Sequence, residues 1–374
     1  MDSIEFPHAP DLIYLNHAGV SPWPQRTAQA ICSFATENAW SGARHYPNWL
    51  RVDARLRQRL ARLLNAPSTD DIALVKNTSE GLSFVAYGLD WQAGDVVVIN
   101  NHEFPSNRMV WESLSQRFGV EVRDVDLDAS DDPEGALIAA LDRRVKLLAI
   151  SSVQYASGLR MDLERLGNAC RKYGVLFCID AIQSLGALRM DVAALEADFV
   201  IADGHKWMLG PEGLGVFYSR PQARERLRLT QFGWHMAQDA GNYDRRDWEV
   251  AASARRFECG SPNTLGIFGL EASLSLLEEI GMAAVEARVL GNARRLIEAV
   301  LEQPQLELLS PAHPQRHAGI VTFRVVGKDS RQVYRRLMEN GIICANRGGG
   351  IRFSPHFYNT AEQLDAALDQ ALRA

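Results

Sequence analysis

Lysine is scarce in this chain: only five of its forty basic residues are lysine, and the rest are arginine. Excess positive charge is missing too. Forty basic residues against 46 acidic ones leave a net charge of -6, so nothing electrostatic points to nucleic acid as a partner. No stretch reaches the roughly 18 uninterrupted apolar residues of a membrane span. The opening MDSIEFPHAP lacks a basic region followed by an apolar one, so no membrane association and a cytoplasmic location are expected. Cysteine is limited to Cys32, Cys170, Cys178, Cys259 and Cys344. Their number is odd, most fall in apolar segments, and their spacing suits no metal, so they read as reduced thiols and no metal site is expected. Internal repeats and low-complexity linkers are absent as well, and any domain boundary has to come from a change in the pattern of elements.

What is present is enough for a large core. With 374 residues, 47% of them hydrophobic, the chain should form about two domains. A short extended piece, Tyr14-Leu15-Asn16-His17-Ala18-Gly19, precedes a helical stretch that begins at Ser21-Pro22 and runs toward Asn65. Apolar runs of strand length follow at Ile72 to Val75, Val96 to Asn100, Glu121 to Val125, Leu147 to Ser151, Leu176 to Asp180 and Phe199 to Ala202. Helical patterns lie between most of them. Such alternation predicts a mostly parallel sheet covered on both faces, with ligands at the carboxyl ends of its strands. After about Phe257 the pattern changes. Long helices from Asn263 to Gln303 precede strands at Ile320 to Val326, Ile342 to Ala345 and Ile351 to Ser354. The expected division is a large domain over 14–257 and a smaller α+β domain over 258–374, joined by residues 1–13.

Lys206 stands out within DFVIADGHKWMLGPEGLGVFYS. Phe199 to Ala202 reads as a buried strand, the glycines allow tight turns, and Val216-Phe217-Tyr218 reads as the returning strand. A lysine in such a knot is desolvated, which lowers its pKa and makes it a nucleophile toward carbonyls; its stem could instead pack while its head reaches water. Other strand ends carry matching chemistry. Asn77-Thr78-Ser79-Glu80-Gly81 opens a helix and suits an anion, although Thr78 or Ser79 could simply be its N-cap. Phe104, in a polar turn fixed by Pro105, could stack on a planar ligand or belong to the core. Asp180 ends the apolar run VLFCID, where an unpaired carboxylate is costly; a protonated ring nitrogen would satisfy it, and an N-cap role is the alternative.

A phosphate cradle, a stacking aromatic, an acid for a ring nitrogen and a Schiff-base lysine make up the parts of a pyridoxal phosphate site. With DAIQ, DGHKW and GPEGLG in this order, and similarity running from YLNHAG to IRFSPHFYNT, the chain resembles the class V aminotransferases among the fold-type I pyridoxal-phosphate enzymes. That group includes cysteine desulfurases, kynureninase and isopenicillin N epimerase. The resemblance implies an α/β fold with a mostly parallel, seven-stranded central sheet and a smaller α+β C-terminal domain. It implies pyridoxal 5'-phosphate as cofactor, with Lys206 as the Schiff-base lysine, Asp180 on the pyridinium and Gln183 on the ring hydroxyl. Thr78, Ser79 and His205 would hold phosphate, Phe104 would stack on the ring, and Gln154 would lie beside it. Asp203 occupies a position where many relatives have a phosphate-binding serine, so its carboxylate is expected to turn away or be neutralised. Ser261 in FECGSPN would reach the phosphate of a neighbouring subunit, which implies a homodimer with active sites shared across the interface. Asn16, His17 and Arg352 would bind a small amino-acid substrate, Arg352 through its carboxylate, with Arg347 as a rival.

The expected function is thus a pyridoxal-phosphate enzyme acting at the α carbon of an amino acid, with aminotransfer as the first reading. Epimerisation and desulfurase-like cleavage of the C–S bond of cysteine, or the C–Se bond of selenocysteine, are alternatives on the same scaffold, and a catalytically silent cofactor-binding protein is an alternative of another class. A dedicated desulfurase requires a mobile thiolate, whereas Cys344 follows Gly341-Ile342-Ile343 and reads as a buried strand residue. His102, His235 and Trp234, with His17, are further candidates for the pocket wall.

Overall fold

A computed structural model describes residues 2–244 and 246–374. The chain begins with α1 (Asp2–Glu5), β1 (Ile13–Tyr14), α2 (Gln25–Ser41) and α3 (Tyr46–Leu64). The single helix expected from Ser21 to Asn65 is therefore two helices. They part at Gly42, whose φ of 53° is costly for any residue with a Cβ.

Strand and helix then alternate through β2 (Ile72–Val75), α4 (Thr78–Gly88), β3 (Val96–Asn100), α5 (Ser106–Phe118), β4 (Glu121–Val125), α6 (Pro133–Ala139), β5 (Val145–Ser151), α7 (Leu163–Tyr173), β6 (Leu176–Asp180), β7 (Phe199–Asp203), β8 (Gly215–Ser219) and α8 (Pro221–Arg224). These strands form one seven-stranded sheet in the order β2-β8-β7-β6-β5-β3-β4. Only β8 runs antiparallel to its neighbours. Successive residues along each strand enter opposite cores, as the pleat dictates. Ile72, Leu74, Val98, Ile179 and Val200 pack toward the face covered by α3, α7 and the later helix α9 (Thr264–Ile280). Ala73, Val75, Val97, Cys178 and Ile201 pack toward α4 and α5. Burial on both faces explains why the strands read as continuous apolar runs.

Beyond α9 come α10 (Met282–Leu301), β9 (Leu306–Leu308), β10 (Val321–Val325), α11 (Ser330–Glu339), β11 (Ile342–Ile343), β12 (Ala345–Arg347), β13 (Gly350–Phe353) and α12 (Ala361–Arg373). A second sheet has the order β12-β13-β10-β9, and β1 pairs in parallel with β11. The strand expected from Ile342 to Ala345 is split at Cys344. The first half pairs with the N-terminal segment and the second with β13. By packing, α9 belongs with the large sheet, because Ile267, Leu270 and Leu274 join its core. We propose that the two units divide within α10, later than the boundary at 257/258 expected from sequence.

Candidate active site

The carboxyl ends of β2, β6 and β7 open into a cavity of about 330 Å³, closed from the other side by Ala18 to Val20 and by the hairpin of β12 and β13. Thr78, Ser79, Phe104, Asp180, Gln183, Asp203, His205, Lys206, Arg347 and Arg352 all line it.

At the end of β2, the cap of α4 is Asn77, whose Oδ1 accepts the Glu80 N–H at 2.9 Å. Thr78 and Ser79 are thereby free of the capping role that the sequence left open. The Thr78 hydroxyl is buried with no hydrogen-bond partner, and the Ser79 hydroxyl donates to Ser106 Oγ at 3.0 Å. An unpaired hydroxyl in the first turn of an eleven-residue helix is an arrangement suited to an anion. His205 and Asp203 face the same cavity with Nδ1 and Oδ1 3.1 Å apart. The contact lacks hydrogen-bond alignment, and both atoms are buried without another partner.

Asp180 ends β6 almost fully buried, and its Oδ1 accepts the Ile182 N–H at 3.0 Å. Burial raises its pKa, while that N–H and the nearby Lys206 amine pull it back. Lys206 follows β7 in a tight turn that ends on Leu209, a fully buried residue with φ of 60°. Such a left-handed leucine costs about 1–2 kcal/mol and persists because its surroundings enforce it. Lys206 is only half-buried by surface, since it borders the open cavity, yet desolvation lowers its pKa against the pull of Asp180. Its Nζ is 5.6 Å from the centre of the Phe104 ring. That ring is 40% exposed to the cavity, and Tyr155 packs edge-on against it at 5.2 Å.

On the opposite wall Arg352 is 3% exposed. Its guanidinium donates to the Tyr155 carbonyl at 2.8 Å and to Asn16 Oδ1 at 3.4 Å, and its Nε has no partner. No carboxylate lies within 4.0 Å of it among the described residues. A buried cation lacking its counter-ion is a site for one.

Several expected residues lie elsewhere. His17 does not line the cavity; it is fully buried, its Nδ1 donating to the Ser354 carbonyl at 2.8 Å and its Nε2 taking the Tyr358 hydroxyl at 2.7 Å. Asn16 is behind Arg352 and orients it. Gln154 is fully buried just outside the cavity, where its amide donates to Glu103 at 3.3 Å and its Oε1 is unpaired. Ser261 is exposed in a separate hollow beside Lys76 and Gly213. His102 pairs with Asp128 at 2.9 Å, His235 lies 3.8 Å from Glu258, and Trp234 lines a hollow of aromatic residues within 232–249. Gln183 lines the cavity, but its Oε1 accepts the Trp207 indole N–H at 2.9 Å and its amide donates to the Ala18 carbonyl at 3.1 Å. One amide N–H is left over for a ligand.

Sequence reasoning missed Ser106, Tyr155 and Glu103. Ser106 shares the turn of Phe104, and Tyr155 follows Gln154. Glu103 is a buried carboxylate that accepts from Asn100, Asn107, Gln154, and the backbone and hydroxyl of Ser151. It ties the ends of β3 and β5 together behind Phe104. A carboxylate beside an apolar strand end was the available signal.

A family model described as aminotransferase class V matches residues 13–367. The chain belongs to the class V aminotransferase family. Within it, a probable cysteine desulfurase of Methanothermobacter thermautotrophicus is 31% identical, covering 96% of this chain and 94% of that relative. Among solved structures, a lysine-to-alanine mutant of C-DES with glycine covalently linked to its PLP cofactor superposes with a TM-score of 0.92 at 24% identity, over 99% of both chains. A complex of the cystine C–S lyase C-DES with its product cysteine persulfide gives a TM-score of 0.90 at 24% identity, over 98% of this chain and 99% of that one. The two structural likenesses establish the fold, a fold-type I α/β architecture shared by class V members.

Proposed function

We propose that the protein is a pyridoxal-phosphate-dependent lyase that cleaves the C–S bond of a cysteine-type amino acid by β-elimination. The observation that carries this reading is one cavity holding a desolvated lysine, Lys206, and a buried guanidinium without counter-ion, Arg352, with no cysteine on its wall. Most of the relatives that match over nearly the whole chain are named for C–S chemistry, an isopenicillin N epimerase being among the others, and aminotransfer, the first expectation from sequence, gives way to C–S cleavage.

The residues fit the cofactor. Thr78, Ser79, His205 and the start of α4 would hold the phosphate, Phe104 would face the ring, and Asp180 would stand at the ring nitrogen. Pyridoxal phosphate, when bound, supplies an electron sink for the substrate's α carbon. Arg352 grips the substrate carboxylate and so fixes which α bond faces that sink. Lys206, its pKa lowered by burial, accepts the α proton near neutral pH. As that proton leaves, the Cβ–S bond breaks, sulfur departs as hydrosulfide from cysteine or as a persulfide from cystine, and hydrolysis of the three-carbon remainder gives pyruvate and ammonia. A protein persulfide of the desulfurase type would need a thiol at the cavity. Cys344 is 2% exposed, and burial pushes its pKa up to about 12.

Exposed Ser261, outside its own chain's cavity, supports a homodimer in which it serves the partner's site. No described helix is long and apolar enough to cross a membrane.

Product analysis on L-cysteine and L-cystine tests the proposal. Elimination releases pyruvate and ammonia in step with sulfide or persulfide. Alanine as the product would mean desulfuration instead, and a keto acid formed only with a second keto acid, without sulfur release, would mean aminotransfer.

A further inference from the structure

The turn that carries Lys206 has no strand ladder, yet three consecutive carbonyls in it are held from outside. The His205 carbonyl accepts the Ser21 N–H at 2.8 Å, and the Lys206 carbonyl accepts the Ser21 hydroxyl at 2.5 Å. The third belongs to Trp207 and lies 3.0 Å from Nε2 of His356.

His356 is fully buried, four residues beyond Arg352 on the segment leaving β13, and is not part of the cavity wall. Its tautomer follows from its contacts. Nδ1 accepts the Phe357 N–H at 2.8 Å, which leaves the ring proton on Nε2, aimed at the Trp207 carbonyl. Burial keeps the ring neutral, with its pKa pulled down to about 4. Behind it, His17 packs edge-on at 5.2 Å, itself locked between Ser354 and Tyr358. A Cβ at Gly186 would come within 2.4 Å of the Trp207 carbonyl oxygen, so the close approach of this peptide depends on a glycine there.

We infer that His356 is a positioning residue for Lys206: its Nε2–H fixes the Trp207 peptide and thereby holds the lysine amine in register with Arg352 on the same segment. Two groups that act on one substrate, one at its carboxylate and one at its α proton, are thus joined through residues 353–356, one hydrogen bond and Trp207. The amine's environment depends on that register, because its depth sets how far water and Asp180 act on it.

Three variants separate the donor from mere packing. His356→Gln brings an amide N–H to about the position of Nε2, His356→Asn is too short to reach the Trp207 carbonyl, and His356→Leu fills the space with no donor. The first readout is acetylation of Lys206 in cofactor-free protein, followed by mass spectrometry against pH. His356→Leu and His356→Asn should move the amine's midpoint by at least about half a pH unit, while His356→Gln stays near the parent. The second readout is steady-state kinetics of the holoenzyme, which rests on the proposed C–S lyase reading. There kcat should fall at least about tenfold in His356→Leu and His356→Asn, within the roughly hundredfold cost of a misplacement of an ångström, with KM within about threefold and recovery in His356→Gln. An unmoved amine midpoint in both donor-less variants overturns the inference, and so does equal impairment of His356→Gln and His356→Asn in proportion to their melting temperatures. A parent enzyme that releases no sulfur from any substrate sinks the lyase reading alone, and the amine titration then decides the role of His356 by itself.

Discussion

Replacing Arg352 by methionine separates stability from substrate affinity. Arg352 is buried with two neutral oxygen partners and no counter-ion. Burial, with a lesser push from Arg347, pulls its pKa down to about 10. That is some two to three pH units below an ordinary guanidinium, and at about 1.4 kcal/mol per pH unit the charged form is held at a cost of about 3 kcal/mol. Methionine of similar length removes this cost but leaves the Tyr155 carbonyl without its donor, a loss of about 1–2 kcal/mol. The substrate-free protein should therefore be as stable as the parent or more so by about 1–2 kcal/mol. With unfolding entropy of about 2 cal/mol/K per residue over 374 residues, the melting temperature should stay level or rise by about 1–3 °C. Substrate affinity should move the opposite way. Losing a desolvated guanidinium–carboxylate pair costs about 3–4 kcal/mol, or some 10²–10³-fold in kcat/KM. Differential scanning calorimetry and steady-state assays on the same preparation measure both. A variant that melts several degrees lower while keeping kcat/KM within a few-fold would refute the assignment, since Arg352 would then be a structural cation whose anion is elsewhere.

The other predictions are independent of Arg352. Cys344→Ala should cost about 1–2 kcal/mol in a denaturant melt and leave turnover largely intact, whereas loss of more than about a hundredfold in rate, roughly 2.7 kcal/mol of barrier, with the fold intact would make the thiol catalytic. Asp180→Ala should retain cofactor absorbance yet lose at least about a hundredfold in kcat, the usual cost of deleting a preorganised charge partner; unchanged turnover would refute its role at the ring nitrogen. Lys206→Ala should lose the borohydride-fixable cofactor linkage, read as the absence of the corresponding mass adduct. The contribution of His356 to stability should also fall with acid between about pH 6.5 and about 4. His356 is held neutral, with a folded pKa near 4, so the unfolded chain takes up that proton first, near about 6.5. The contribution of this histidine is fully present above about pH 6.5 and is lost as pH falls, by up to about 3 kcal/mol. Across this range the parent should lose stability more steeply with acid in chemical melts than His356→Gln, in which the other histidines held low by burial, His17, His8, His235 and His317, all remain; a parent slope no steeper than that of His356→Gln would contradict the buried neutral ring.

The order of chemistry along the chain was legible because this fold puts chemistry at strand ends. Asp180 and Lys206 each follow an apolar run, and a parallel sheet buried on both faces turns such runs into neighbouring strands whose ends share one edge. Seven strands, their alternation with helices, and a helix start after β2 as a candidate anion site followed from periodicity and turn residues alone. What could not be read was which polar group faces the cavity and which is absorbed by its surroundings. Asn77 takes the cap of α4 and leaves Thr78 free, a choice made by backbone geometry over two residues. His17 and Gln154 sit beside residues that line the cavity but are turned to partners from distant segments, both ring nitrogens of His17 to Ser354 and Tyr358 and the amide of Gln154 to Glu103. Composition and local pattern determined the sheet, the lysine and its acid, because each depends on neighbours in sequence. Only the tertiary structure decided that Arg352 is a buried cation without a counter-ion and that the His356 ring meets the Lys206 turn, because both depend on segments more than a hundred residues apart that only the fold brings together.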